Sequence, residues 1–128
     1  MIDELLDYLE ENGFGTVNTD LFINELPVDV QNCISLNRSI SPETNLTLDI
    51  FEQTIDFWSR HKSSDVGYSK LKAIDDFFNR KHHYSFGDYY VYLSHSLSTI
   101  EDNDRDIERR KLDKLSINFI YRVDTLVS

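Results

Sequence analysis

Three groups of residues have the types and spacing that chemistry uses. Asp102, Asp104 and Asp106 spell D-x-D-x-D, the opening of a calcium-binding loop. Such a loop needs glycine at its sixth position, where the chain turns sharply; here that residue is Ile107, β-branched and ill-suited to positive φ. The twelfth position is Asp113 rather than a bidentate glutamate, and Arg105, Arg109 and Arg110 place cations among the ligands. A solvated, charged tip is the expectation, not a metal site. His82 and His83 offer imidazoles for zinc or for acid–base work, but adjacent side chains point apart on a helix or a strand. His61 and His95 lie far off in sequence. Placement at a helix C-terminus, next to the negative end of its dipole, accounts for the His82-His83 pair. Cys33 stands alone, so an intrachain disulfide is excluded. In the run VQNCISL it reads as a small buried hydrophobe rather than a nucleophile. Acidic pairs such as Asp75-Asp76 fit an exposed helix face. No nucleophile elbow, P-loop, dinucleotide fingerprint or H-E-x-x-H occurs, and four glycines leave little for a phosphate cradle. The sequence therefore predicts no catalytic residue, no cofactor, no metal and no enzyme.

The bulk composition narrows the partners. At 128 residues, 40% hydrophobic and 12% aromatic, the chain is expected to fold as a single domain over residues 1–128 with a real core. Thirteen basic residues against 23 acidic ones leave a formal charge of −10, which repels the phosphates that a nucleic-acid binder must neutralise. MIDELLDYLEE is acidic and lacks the basic start and apolar stretch of a signal peptide. No run approaches the roughly 18 apolar residues of a membrane span. A reducing cytoplasm without membrane contact is the expected setting.

Hydrophobic periodicity supplies the elements that would position any site. Ile2, Leu5, Leu6 and Leu9 fall at helical spacing over residues 2–12, with Asn12-Gly13 as the stop. Leu21-Phe22-Ile23 fits an edge strand or a turn of helix, and Val30 to Leu36 alternates as a strand. NRSISPETN is a loop by composition. LTLDIFEQTIDFWSR fits both periods, and its β-branched and aromatic content favours strand over residues 46–58. YSKLKAIDDFFNRK is a helix with Leu71, Ile74, Phe77 and Phe78 as its buried stripe. Two strands come next. Tyr89, Val91, Leu93 and Leu97 share one parity on the first, and Leu115, Ile117, Phe119, Tyr121 and Val123 share one on the second. The expected fold is α+β: a small, mostly antiparallel sheet of about four strands, two helices packed on it, and a long C-terminal β-hairpin with a polar tip.

The order of these features resembles the tail terminator (minor capsid) proteins of long-tailed bacteriophages. The likeness begins at GTVNTDLFINELPVDVQNCISL, where that family has a Gly-rich start, a short apolar segment, a Pro and a first strand. FEQTIDFWSR is similar to its aromatic-polar strand ending in Arg, here Arg60. DVGYSKLKAIDDFF matches its turn and helix, and YYVYLSHSL and LSINFIYRV match its last two strands. The match covers roughly residues 13–123. SISPETN stands where a Gly-rich loop often comes after the first strand.

The resemblance implies a hexameric ring that caps the finished tail tube, stops tube protein from adding, and joins the tail to the neck proteins of the head. Its partners would be other copies of itself, the tail tube protein and a neck or stopper protein. Its place would be the head-proximal end of the virion tail, after assembly in the host cytoplasm. Duplex DNA would pass through the ring without specific binding, and six copies at −10 would carry about −60, a lumen that repels phosphate. Candidate interface residues are Arg105, Asp106, Arg109 and Arg110 on the Ser98–Lys111 tip, whose mixed charges suit head-to-tail contacts, or else a merely solvated turn. Tyr90 and Tyr92 are a second candidate interface, or else a second core face under a helix. Rival readings are another neck protein, such as a head-completion or stopper protein, and an acidic cytoplasmic binding module such as a DNA mimic.

Overall fold

The computed structural model describes residues 1–27, 29–30, 32–39, 43–47, 49–103 and 110–123. In chain order the elements are α1 (Ile2–Glu11), β1 (Leu21–Ile23), β2 (Cys33–Arg38), β3 (Thr44–Thr47), β4 (Ile50–His61), α2 (Ser64–Phe78), β5 (Lys81–Phe86), β6 (Tyr89–Ser96), β7 (Glu101–Asn103) and β8 (Lys111–Val123). One eight-stranded sheet runs in the order β1-β2-β4-β8-β6-β5, with β3 added on β4 and β7 on β8. Every pairing of these strands is antiparallel except that of β1 with β2.

The expected α+β class and the two helices stand; the expected four strands do not. The short β3 and β7 carry little hydrophobic pattern, as TNLT and EDN show. Lys81, read as the last residue of a helix with His82 and His83 at its C-terminus, instead opens β5, so His82 and His83 are strand residues and not helix-end residues. Helix α2 closes at Phe78 and starts at Ser64, four residues ahead of the expected Tyr68. Residues 46–47 and 50–58 are strand, in β3 and β4 respectively, with Asp49 in a turn between them. Strands β6 and β8 do pair antiparallel, but β7 intervenes, and the Arg105–Arg109 part of the tip lies outside the described residues.

Alternation along β8 sets the core. Leu115, Ile117, Phe119 and Tyr121 are buried on one face, and β4 pairs with β8 over eleven residues, from Phe51↔Tyr121 to His61↔Lys111. That register puts Ile55 and Phe57 on the same face. Both helices cover it: α1 with Ile2, Leu5, Leu6 and Leu9, and α2 with Leu71, Ile74 and Phe78, all in one cluster. Phe78 packs edge-on against Phe119 at a 5.6 Å ring separation, one of the tilted pairs that aromatic quadrupoles favour. Gly13 ends α1 at φ +81, and the Phe14 amide reaches back to the Leu9 carbonyl at 3.0 Å, as a left-handed glycine cap allows.

Strand β6 departs from simple alternation. Its register with β8 slips between Val91 and Leu93, and β5 answers with a left-handed His83 at φ 54. A bulge of this kind moves every later side chain to the opposite face. Leu93 therefore leaves the core face expected for it, Leu97 is 52% exposed, and Ser94, expected outside, is fully buried. Its hydroxyl donates to the Phe78 carbonyl at 2.7 Å and accepts from the Tyr84 hydroxyl at 2.7 Å, so the inward turn leaves no polar atom unmatched.

Two arginines close one end of the sheet. Arg60 is 5% exposed and Arg110 only 1%. Arg60 donates from Nη1 to the Leu26 carbonyl at 2.9 Å and from Nη2 to the carbonyls of Val30, at 2.9 Å, and Pro27. Arg110 reaches the same Val30 oxygen at 3.2 Å. The guanidinium fork thus ties down a connection that has no sheet ladder of its own. Cys33 lies beneath it, buried as expected, and burial pushes its thiol up despite the nearby arginines.

Under the first turns of α2 sits a polar defect in the core. Ser59 Oγ and both ring nitrogens of His61 are buried without hydrogen-bond partners, and Asp113 pairs across from Ser59. Gly67 roofs them: a Cβ there would lie 3.1 Å from Ser59 Oγ, 3.3 Å from His61 Nδ1 and 3.4 Å from Asp113 Oδ2. Burial pushes His61 down to about 4, with the Lys70 charge acting in the same direction and Asp20 opposing. Burial also raises Asp113.

Two outcomes are expected. Arg60→Met should cost about 3 kcal/mol in urea unfolding and Arg60→Lys should recover only part of it, since one ammonium cannot fork to three carbonyls; equal stability of all three would contradict the clamp. For His61, the unfolded imidazole binds a proton below about pH 6.5 while the folded one stays neutral to about 4, so this site withdraws stability as pH falls through that window. The difference in unfolding free energy between pH 7.5 and pH 4.5 should shrink by roughly 2–3 kcal/mol in His61→Leu.

Candidate assembly surface

Because α1 and α2 share one face of the sheet, its other face carries no helix. The side chains there come from the second parity of β4, β8 and β6. At its centre, Asn118 accepts from Thr54 Oγ1 at 3.1 Å and donates to Glu52 at 2.7 Å. The Ser116 hydroxyl donates to Asp56 at 2.6 Å. Lys114 lies 3.9 Å from Asp56 and 3.7 Å from Glu101, with its ammonium 5.6 Å from the Trp58 ring centre. The sheet holds the polar atoms in fixed positions; the Lys114 pairs, partly exposed, add less than about 1 kcal/mol each.

Toward β5 the face becomes aromatic and cationic. The Arg122 guanidinium lies 4.6 Å from the Tyr90 ring centre and 5.7 Å from that of Tyr92, and its Nη1 donates to the Tyr92 hydroxyl at 3.1 Å. Tyr90 and Tyr92 meet edge to face at 5.1 Å, and His83 Nδ1 is 2.8 Å from the Tyr90 hydroxyl. Every member is held by another, so the cluster is a rigid platform rather than loose side chains. Tyrosine and arginine in such a setting supply large contact area at low entropic cost, the composition of interface hot spots.

The candidates from sequence divide accordingly. Tyr90 and Tyr92 come together on the open face, half-buried; the alternative, a second core face under a helix, does not hold, because both helices are on the other side. Arg110 is not an exposed tip residue: its side chain is enclosed against the Val30 carbonyl. Arg105, Asp106 and Arg109 lie outside the described residues, as do Asp104 and Ile107 of the D-x-D-x-D run. Sequence reasoning did not place Arg122 or His83 in this cluster. The signal for Arg122 was present, since it shares the polar parity of SINFIYRV with Ser116 and Asn118.

Ser59 and His61 make no hydrogen bond to each other and both are buried, so His61 does not activate the hydroxyl. Among the described residues no three His, Cys, Asp or Glu side chains gather as metal ligands. No described helix is long and apolar enough to cross a membrane.

A family model described as bacteriophage tail terminator protein matches residues 8–123, which takes in every strand of the sheet, all of α2 and the later part of α1. No curated protein matches the chain. With nearly the whole fold inside that match, the chain belongs to the bacteriophage tail terminator family, structural proteins of the phage tail.

Proposed function

We propose that six copies of this chain close into a ring on the head-proximal end of the tail tube, stop further addition of tube protein, and present a surface to the neck of the head. The observation that carries this reading is the family match over residues 8–123. The open sheet face supports it: a mutually held cluster of Tyr90, Tyr92 and Arg122 beside a fixed polar network suits contact with another polypeptide. The formal charge of −10 per copy supports a lumen that lets duplex DNA slide past without capture. In this reading recognition is the whole mechanism, and the open face meets the tube or neck partner.

Electron microscopy of the chain mixed with its tail tube protein tests it. Six-fold density at only one end of each tube, with tube growth arrested, is the expected result. Tyr90→Asp together with Tyr92→Asp should lower the fraction of capped tubes by roughly ten-fold or more, because charges would be desolvated at a hot spot. Bare tubes at both ends, with binding instead to portal-side assemblies, would move the chain to a head-completion role.

A further inference from the structure

This acidic chain has a cationic corner at Arg80 and Lys81. Between α2 and the start of β5 the chain reads Asn79-Arg80-Lys81-His82-His83, with Arg80 in the left-handed region at φ 61. Arg80 and His82 are exposed, and Lys81 is held half-buried with its ammonium 4.1 Å from the Phe77 ring centre. Among the described residues none of Arg80, Lys81 and His82 makes an ion pair, although acidic residues number 23 in this sequence.

Helix α1 carries the opposite arrangement, and at a cost. Its buried stripe turns Asp3, Asp7 and Glu11 outward, all exposed. Their spacing of four residues sets them on one ridge, about 6 Å apart along the axis. Like charges at that spacing destabilise a helix by a few tenths of a kcal/mol per pair. Glu10 and Glu11 also sit in the last turn, where the dipole already presents negative charge and no basic residue answers it. Asp3, Asp7 and Glu11 make no ion pair among the described residues either, so no salt bridge joins ridge to corner within one copy.

We infer that the Arg80–His82 corner of one copy docks on the Asp3–Asp7–Glu11 ridge of the next copy in the ring. Two different patches in contact make a head-to-tail interface, the kind that propagates around a closed ring. The neighbour's cations relieve both the ridge repulsion and the unfavourable helix end, which gives assembly a gain the isolated chain lacks. The inference rests on the ring reading and assigns its subunit contact.

Two reversed variants test it: Arg80→Glu with His82→Glu, and Asp7→Lys with Glu11→Lys. All four positions are exposed, and urea midpoints matching wild type confirm that both variants fold. Capped tubes are counted by electron microscopy at low salt. Each variant alone should lose capping roughly ten-fold. An equimolar mixture should recover it, because alternating copies restore opposite charges at every contact and a six-membered ring closes on an even number. Reversed variants that cap as wild type does, or a mixture that stays inactive, would overturn the contact while leaving the ring intact. If wild type itself caps no tube, the ring reading fails and the contact with it.

Discussion

The pairing of β4 with β8 is the constraint on which the rest of the molecule hangs. Eleven residue pairs lock the alternation of one strand to that of the other, so Ile55 and Phe57 have to share a face with Leu115, Ile117, Phe119 and Tyr121. A stripe that apolar must be covered, and at roughly 25 cal/mol for each Å² removed from water its burial outweighs any local preference. Both helices answer the same demand from the same side. The sheet is left as an asymmetric layer: one face sealed by aromatic packing, the other given to polar side chains that hold each other in place.

That asymmetry joins the architecture to the proposed assembly surface. Asn118, Thr54 and Glu52 satisfy one another across the open face, so it stays ordered without a covering element. Arg122 stacks on Tyr90 and bonds to Tyr92 instead of reaching freely into solvent. A surface of this kind loses little conformational freedom on meeting a partner, and in association such losses often decide affinity. Arg60 works in the opposite sense, spending its charge on the chain's own carbonyls to hold a connection rather than a partner.

Where the period of the sequence was clean, the fold could be read from it. The alternation of LSINFIYRV and the i, i+3, i+4 stripe of IDELLDYLEE both emerge as buried faces in the structure. The strand preference also held over residues 46–47 and 50–58, because β-branched and aromatic side chains outweighed an ambiguous period. The misses share a physical cause: tertiary context overrode local pattern. A slip of one residue at Tyr92 reversed the faces of Leu93 and Ser94, and nothing in YYVYLSHSL marks where a bulge falls. Strand β5 is short and sits at an edge, and Tyr84 and Phe86 alone make too brief a stripe to read in KHHYSF. Of the candidate interface, the tyrosine pair was legible as an aromatic parity, whereas the enclosure of Arg110 depends on a carbonyl 80 residues away in sequence.

The strand order has a consequence for biosynthesis. Strand β8 lies at the middle of the sheet, yet it is the last described strand to leave the ribosome. Until residue 123 has been made, β4 and β6 have no central neighbour, and the apolar stripes of α1 and α2 lack the Leu115–Tyr121 row they cover. The core therefore closes in a late, cooperative step rather than growing from the N-terminus outward, and the nascent chain carries an unpaired, aromatic β4 edge in the meantime.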